Sequence, residues 1–222
     1  MYNTELYNFI TDKRHHAFRG KGLPSRAQQY KAMGLSPRER MARRFCEAAE
    51  KEAQSPHILP GQKIVLMRTV PDLPDVLTED EWNEIKKTAH VHERGYISNI
   101  CPDYMSVISK GFKKIRENAD KCSRQVLDAL SSLCAGYRRQ AAAQNRGDVA
   151  AVLERIPEYP AETFHEALQF FRILHYALWL DGNYHNTVGR FDKYMMPYLQ
   201  RDLDRGVLTE DEAKALLEDF FL

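Results

Sequence analysis

Apolar residues recur at three- and four-residue spacing over most of this chain, and polar breaks divide that pattern into a series of helices. The longest such run lies between Pro157 and Leu203. In its first half Phe164, Ala167, Leu168, Phe171, Leu174, His175 and Leu178 share one helical face. Phe170, Ile173, Ala177, Trp179 and Leu180 cover much of the opposite side. A helix apolar nearly all round must be buried, so the rest of the molecule is expected to wrap it. Gly182 and Asn183 end this half, and Phe191, Met195, Tyr198, Leu199 and Leu203 line a second helix.

The remaining pattern is also helical. Residues 1–34 read as a polar, irregular segment containing one short helix from Ser25 to Met33, closed by Gly34. Ser36-Pro37-Arg38-Glu39 is a capping box with proline at N1, which opens a helix to about Ala53 with Met41, Phe45 and Ala49 turned inward. Thr78 to Glu81 and Thr209 to Glu212 are two further boxes. The first opens a helix to about Thr88, and the second opens one that carries Ala213, Leu216, Leu217, Phe220 and Phe221. Helices are expected from Tyr104 to about Ile115 and from Asp120 to Gln144, and a short one from Asp148 to Arg155. Val126, Leu127, Leu130, Leu133, Cys134 and Tyr137 form the core face of the second of these, with Gly147 as its C′ residue. One strand is expected at Lys63-Ile64-Val65-Leu66-Met67, a continuous apolar run between turn residues. Pro71 to Pro74 and His90 to Asp103 read as loop.

At 222 residues the chain is long enough for one large domain or two small ones with a sizeable core. A net charge of +1 gives no electrostatic case for nucleic acid or an anionic membrane. Arg38, Arg40, Arg43 and Arg44 are interleaved with Glu39, Glu47 and Glu50 and read as a solvated helix face. No signal peptide is visible at the start, and no run reaches the ~18 apolar residues of a membrane span. The best candidate for a span is cut by Arg172 and His175. Cys46, Cys101, Cys122 and Cys134 are far apart and suit neither a disulfide framework nor a metal site. A reducing, cytoplasmic setting follows. The last helix carries no stop signal before Phe220-Phe221-Leu222. That apolar end is expected to be covered, either by further chain or by self-association.

Familiar chemical motifs are scarce. A single Glu162-x-x-His165 is half of a di-iron bundle set, and more often an ordinary first helical turn. His90-x-His92-Glu93 supplies two or three possible zinc ligands with no others at a known spacing. No residue is therefore assigned to a metal. Nucleophile-elbow, Walker and dinucleotide glycine motifs are missing. Asp103 is placed to cap the following helix, and Cys101 has no base partner that the sequence assigns.

One resemblance stands out. Pro160-Ala161, Phe164, Glu166-Ala167-Leu168-Gln169, Gly189-Arg190-Phe191-Asp192 and Pro197-Tyr198, in that order and spacing, resemble the N-terminal half of the glycyl radical enzymes, the relatives of pyruvate formate-lyase. Ser98-Asn99-Ile100-Cys101-Pro102-Asp103-Tyr104, with Gly111 beyond, is similar to a second family segment. In many dehydratases and lyases of the family that segment reads Gly-His-x-x-Pro-Asp-Tyr, and its histidine side faces the substrate. Here Ser98-Asn99 replaces Gly-His. Asn99 is able to hydrogen-bond a hydroxyl or carboxylate but not to carry a proton as histidine does. A backbone-capping role for Asn99 stays open beside the functional one.

The resemblance covers roughly residues 36–222 and implies that residues 1–222 are a single partial domain, the N-terminal portion of a pyruvate formate-lyase-like one. It implies a mainly α chain with a few strands, forming the N-terminal part of a ten-stranded α/β barrel, with Ile64 to Met67 as an early strand. It implies Asn99, His92 and Tyr104 as substrate-binding residues. It also implies a radical lyase or dehydratase, formate C-acetyltransferase-like, acting on a small polar metabolite in anaerobic metabolism. The family uses a glycyl radical installed by a radical-SAM activating enzyme, and this chain is expected to bind no cofactor itself. The family's thiyl cysteine and glycyl loops have no counterpart here: Arg94-Gly95-Tyr96 lacks the radical-loop spacing. No catalytic residue is assigned, and the chain alone is expected to be inactive. The alternative is a free-standing, non-catalytic helical module that binds a ligand or partner.

Overall fold

The computed structural model describes residues 3–12, 23–66, 73–89, 100–183 and 186–222. Ten helices follow in order among them: α1 (Thr4–Thr11), α2 (Ala27–Ala32), α3 (Pro37–Gln54), α4 (Glu79–Thr88), α5 (Tyr104–Arg116), α6 (Lys121–Ala143), α7 (Gly147–Arg155), α8 (Phe164–Leu180), α9 (Phe191–Asp204) and α10 (Glu210–Phe221). The expected capping boxes at Ser36, Thr78 and Thr209 all close as the sequence requires. A fourth, Thr163 with Glu166, opens α8.

Helix α8 is the centre of the molecule. It packs against α3, α5, α6, α7, α9 and α10. Ala167, Leu168, Phe170, Ile173, Tyr176 and Leu180 are fully buried along it. Its start is tied to α9, because the buried Asp202 carboxylate accepts the Phe164 N–H at 2.6 Å. Helices α3 and α6 pack side by side. Phe45 and Ala49 face Leu133, Cys134 and Tyr137 in the common core, and the Tyr137 hydroxyl donates to the Glu52 carboxylate at 2.9 Å. Arg40 of α3 is buried, pairs with Glu81 of α4 and donates to the Val76 carbonyl at 2.8 Å.

Several expectations need correction. The expected strand is not formed: among the described residues there is no strand, only the isolated parallel bridge between Ile100 and Asn186. Ile64, Val65 and Leu66 are fully buried, yet Leu66 turns to φ 71. Their backbone is satisfied by side chains. Asp219 accepts from the N–H groups of Lys63 and Ile64, Gln169 bonds both polar groups of Val65, and Gln62 donates to the Ile64 carbonyl. The apolar run therefore has the burial of a central strand without a neighbour strand. Met67 lies outside the described residues.

The described part of the segment 1–34 is less irregular than expected. Asn3 caps α1, whose Leu6 and Phe9 reach the core. Met41 is 42% exposed rather than inward, because α6 and α8 meet α3 through Phe45 and Ala49. The residue that ends α6 in the left-handed conformation is Asn145, at φ 58, and Gly147 instead begins α7. Helix α5 is broken at Gly111, where φ is 73 and ψ 160. There the 156–161 turn approaches: Phe112 and Lys113 donate to the carbonyls of Pro157 and Glu158, and Ala161 donates back to Ile108. A Cβ on Gly111 would lie 2.5 Å from the Glu158 carbonyl oxygen.

Candidate functional site

Two loops that the sequence placed in different motifs meet at the bridge. The Thr187 N–H donates to the Ile100 carbonyl at 2.9 Å, opposite Asn186. Gly189, at φ 60, brings its backbone against Cys101, and a Cβ there would stand 2.9 Å from the Cys101 sulfur. A side chain is strained at that positive φ, which favours glycine there. The Tyr194 hydroxyl holds the second loop by donating to the Val188 carbonyl at 2.7 Å. Asp103 caps α5, as expected, by accepting the Ser106 N–H at 3.1 Å. Hydrogen bonding to Ser106, through its side chain and then its backbone, keeps the Asp103 carboxyl below the usual range and occupies the group that a catalytic acid would need.

Tyr104 begins α5 beneath these loops. It is buried, stacks obliquely on Phe171 at 4.1 Å, and bonds His175 Nδ1 at 2.8 Å. With the hydroxyl donating, the imidazole carries its proton on Nε2. Burial, and then the positive charge of Arg172, push the His175 pKa down to about 4. The ring is thus neutral near pH 7. Burial likewise raises the Tyr104 phenol. Trp179 packs edge-on against His175 at 4.6 Å. Arg172 lies on the same helical face and reaches the Phe220 carbonyl at the end of α10.

Of the three expected substrate-binding residues, Tyr104 is placed as described, and Asn99 and His92 lie outside the described residues. Arg94, Gly95, Tyr96, His90 and Glu93 lie outside them as well. Glu162 and His165 do not converge on a common centre: Glu162 pairs with Arg155 at 2.6 Å, and His165 Nε2 bonds the Lys63 carbonyl at 3.0 Å. The four cysteines are free; Cys101 is exposed, and burial raises the thiols of Cys46 and Cys134. Among the described residues no group of three metal-ligating side chains assembles, and no helix is long and apolar enough to cross a membrane.

Sequence reasoning passed over Arg172, His175 and Asn186 as site residues. The first two carried a usable signal, since Arg172 and His175 interrupt the apolar run from Phe170 to Leu180. Asn186 carried none, because its position depends on pairing with a distant loop.

A family model described as pyruvate formate lyase-like matches residues 75–222. The chain is 32% identical over 72 residues to trans-4-hydroxy-L-proline dehydratase of Clostridioides difficile, covering 32% of this chain and 9% of that protein. It is 30% identical over 155 residues to isethionate sulfite-lyase of Nitratidesulfovibrio vulgaris, covering 52% of this chain and 18% of that one. A structure solved for 1,2-propanediol dehydration in Roseburia inulinivorans superposes with a TM-score of 0.69 at 19% identity, covering 97% of this chain and 36% of its own. The match to that structure is one of fold. This chain spans a minor part of the length of each of these proteins.

Proposed function

Because the chain belongs to the pyruvate formate lyase-like family of glycyl radical enzymes, we propose that it forms the N-terminal scaffold and part of the substrate pocket of a radical dehydratase or lyase. The observation that carries the reading is the family match running through both loops of the candidate site, 100–104 and 186–191. Two relatives are named as a dehydratase of trans-4-hydroxy-L-proline and a sulfite-lyase of isethionate. A small hydroxylated or charged metabolite is the corresponding substrate class here.

In this reading Tyr104 has a positioning role. Its hydroxyl is taken by His175, so it fixes the start of α5 and the loop before it. Asn99, one residue before the bridged Ile100, and His92 are the proposed substrate contacts. No residue of this chain matches the family's thiyl cysteine or glycyl loop, so radical generation is assigned to chain beyond it, with a radical-SAM activating enzyme as partner. Cytoplasmic location, anaerobic metabolism and self-association through the C-terminal face belong to the same proposal.

The test is electron paramagnetic resonance under anaerobic, reducing conditions with an activating enzyme and S-adenosylmethionine. The 222-residue chain alone should give no glycyl doublet. A longer reading frame beyond Leu222 that includes a cysteine loop and an Arg-Val-x-Gly-Tyr loop should give one. In that protein Asn99→Ala should lower turnover and leave the radical yield unchanged. A doublet from this chain alone would overturn the scaffold assignment. A stop codon directly after Leu222 would favour the free-standing binding module.

A further inference from the structure

A groove of about 440 Å3 opens between α3, α6 and the end of α8. Met41, Phe45, Val126, Leu127 and Leu178 form its apolar walls, and Asp181 and Asn183 line it just beyond α8. None of its lining residues belongs to the loops 100–104 and 186–191. Its volume is that of a small-molecule site, far above the voids of a packed interior. Charge around it is already balanced: Asp181 accepts from the buried Arg44 at 2.9 Å, and Arg38 pairs with Asp120. Hydrogen bonding is not complete. Arg44 uses only Asp181 Oδ1, and among the described residues nothing donates to Oδ2. Burial raises the Asp181 carboxyl despite the opposing effect of Arg44, as expected of a carboxylate short of donors. The Asn183 carbonyl accepts from Asn186, but the Asn183 side-chain amide bonds nothing among the described residues.

We infer that this groove binds an uncharged aliphatic alcohol, with its hydrocarbon on the apolar walls and its hydroxyl between Asp181 Oδ2 and the Asn183 amide. A hydroxyl both donates and accepts, so one group serves the carboxylate oxygen and the amide N–H together. A carboxylate ligand would face the Asp181 carboxylate. An ammonium would leave one positive charge unbalanced beside the Arg44–Asp181 pair in a largely apolar groove. The neutral head group alone keeps the charge balance that the side chains have set. The inference rests on α3, α6 and α8 and is independent of the radical chemistry.

The experiment follows the methyl signals of methionine in 13C-methyl-labelled wild-type chain during titration with 1-hexanol. Met41 lies in the groove, whereas Met105 and Met196 are exposed outside it and serve as controls. The Met41 signal is assigned by its loss in Met41→Leu, a conservative change at a position 42% exposed. Hexanol should shift the Met41 signal saturably in the millimolar range and leave Met105 and Met196 in place. Hexanoate and hexylammonium, which share the same hydrocarbon, should need at least several-fold higher concentration. A Met41 signal that ignores hexanol would overturn the site, and so would a shift shared equally by Met105 and Met196. Equal potency of hexanoate or hexylammonium would overturn the assignment of a neutral hydroxyl head. A Met41 signal that moves with protein concentration and then ignores hexanol would assign the groove to a second copy of the chain instead.

Discussion

Gln169 holds both polar groups of the Val65 backbone, accepting its N–H at 2.8 Å and donating to its carbonyl at 3.3 Å. One amide side chain thus does for this fully buried segment what a neighbouring strand would do in a sheet. Gln169→Leu keeps the volume and removes both partners. Each buried group left unsatisfied costs about 1–3 kcal/mol, so the variant should lose several kcal/mol of unfolding free energy in urea titration. A loss below about 1 kcal/mol would show that Val65 finds other partners.

Gly111 and Gly147 make a matched pair. Gly111 combines φ 73 with backbone atoms of Glu158 and Tyr159 within 3 Å of a would-be Cβ, and at Gly147 nothing lies within 4 Å. Gly111→Ala should destabilise by about 3 kcal/mol or more. Gly147→Ala, in the first turn of α7, should be neutral or stabilising by a few tenths to about 1 kcal/mol. Thermal melts of the two variants decide. Equal effects would remove the close approach of the 156–161 turn as the reason for the glycine.

The burial of His175 predicts a pH dependence. Its folded pKa of about 4 lies below the ordinary 6.5. Between those values the unfolded chain binds a proton that the folded chain refuses. Unfolding free energy should therefore rise with pH across that window and level off above it. His165 is also shifted down by burial and adds the same sign. His175→Gln retains an acceptor for Tyr104 and should flatten the slope relative to wild type, read by urea unfolding at a series of pH values. An unchanged slope would mean that His175 titrates alike in both states.

The C-terminal aromatic residues separate stability from association. Phe220 is 3% exposed and packs on Phe171 and Phe191, whereas Phe221 is 64% exposed. Phe220→Ser should cost about 3–5 kcal/mol, as other large-to-small core changes do. Phe221→Ser should leave the melting temperature nearly unchanged and reduce the light scattering of concentrated solutions. Scattering that does not respond to Phe221→Ser would exclude this face as the contact.

The sequence by itself determined the helices and most of the core. Ser36, Thr78 and Thr209 with their glutamates fix helix starts through bonds spanning three residues, and the apolar period through Phe164 to Leu180 demands burial on nearly all sides. Such signals are local, so they survive without knowledge of the partner. The Asp103 cap of α5 was legible in the same way. The tertiary structure decided the rest. Ile64-Val65-Leu66 has the composition of a buried strand, and only the arrival of Gln169 and Asp219 from α8 and α10 lets it remain irregular. Gly111 breaks α5 because the 156–161 turn passes against it, and Met41 faces outward because α3 is rotated to present Phe45 and Ala49. Arg172 and His175 stood out in the sequence merely as interruptions of an apolar run. Their relation to Tyr104 and Phe220 depends on how α5 and α10 cross α8, which no periodicity along a single helix encodes.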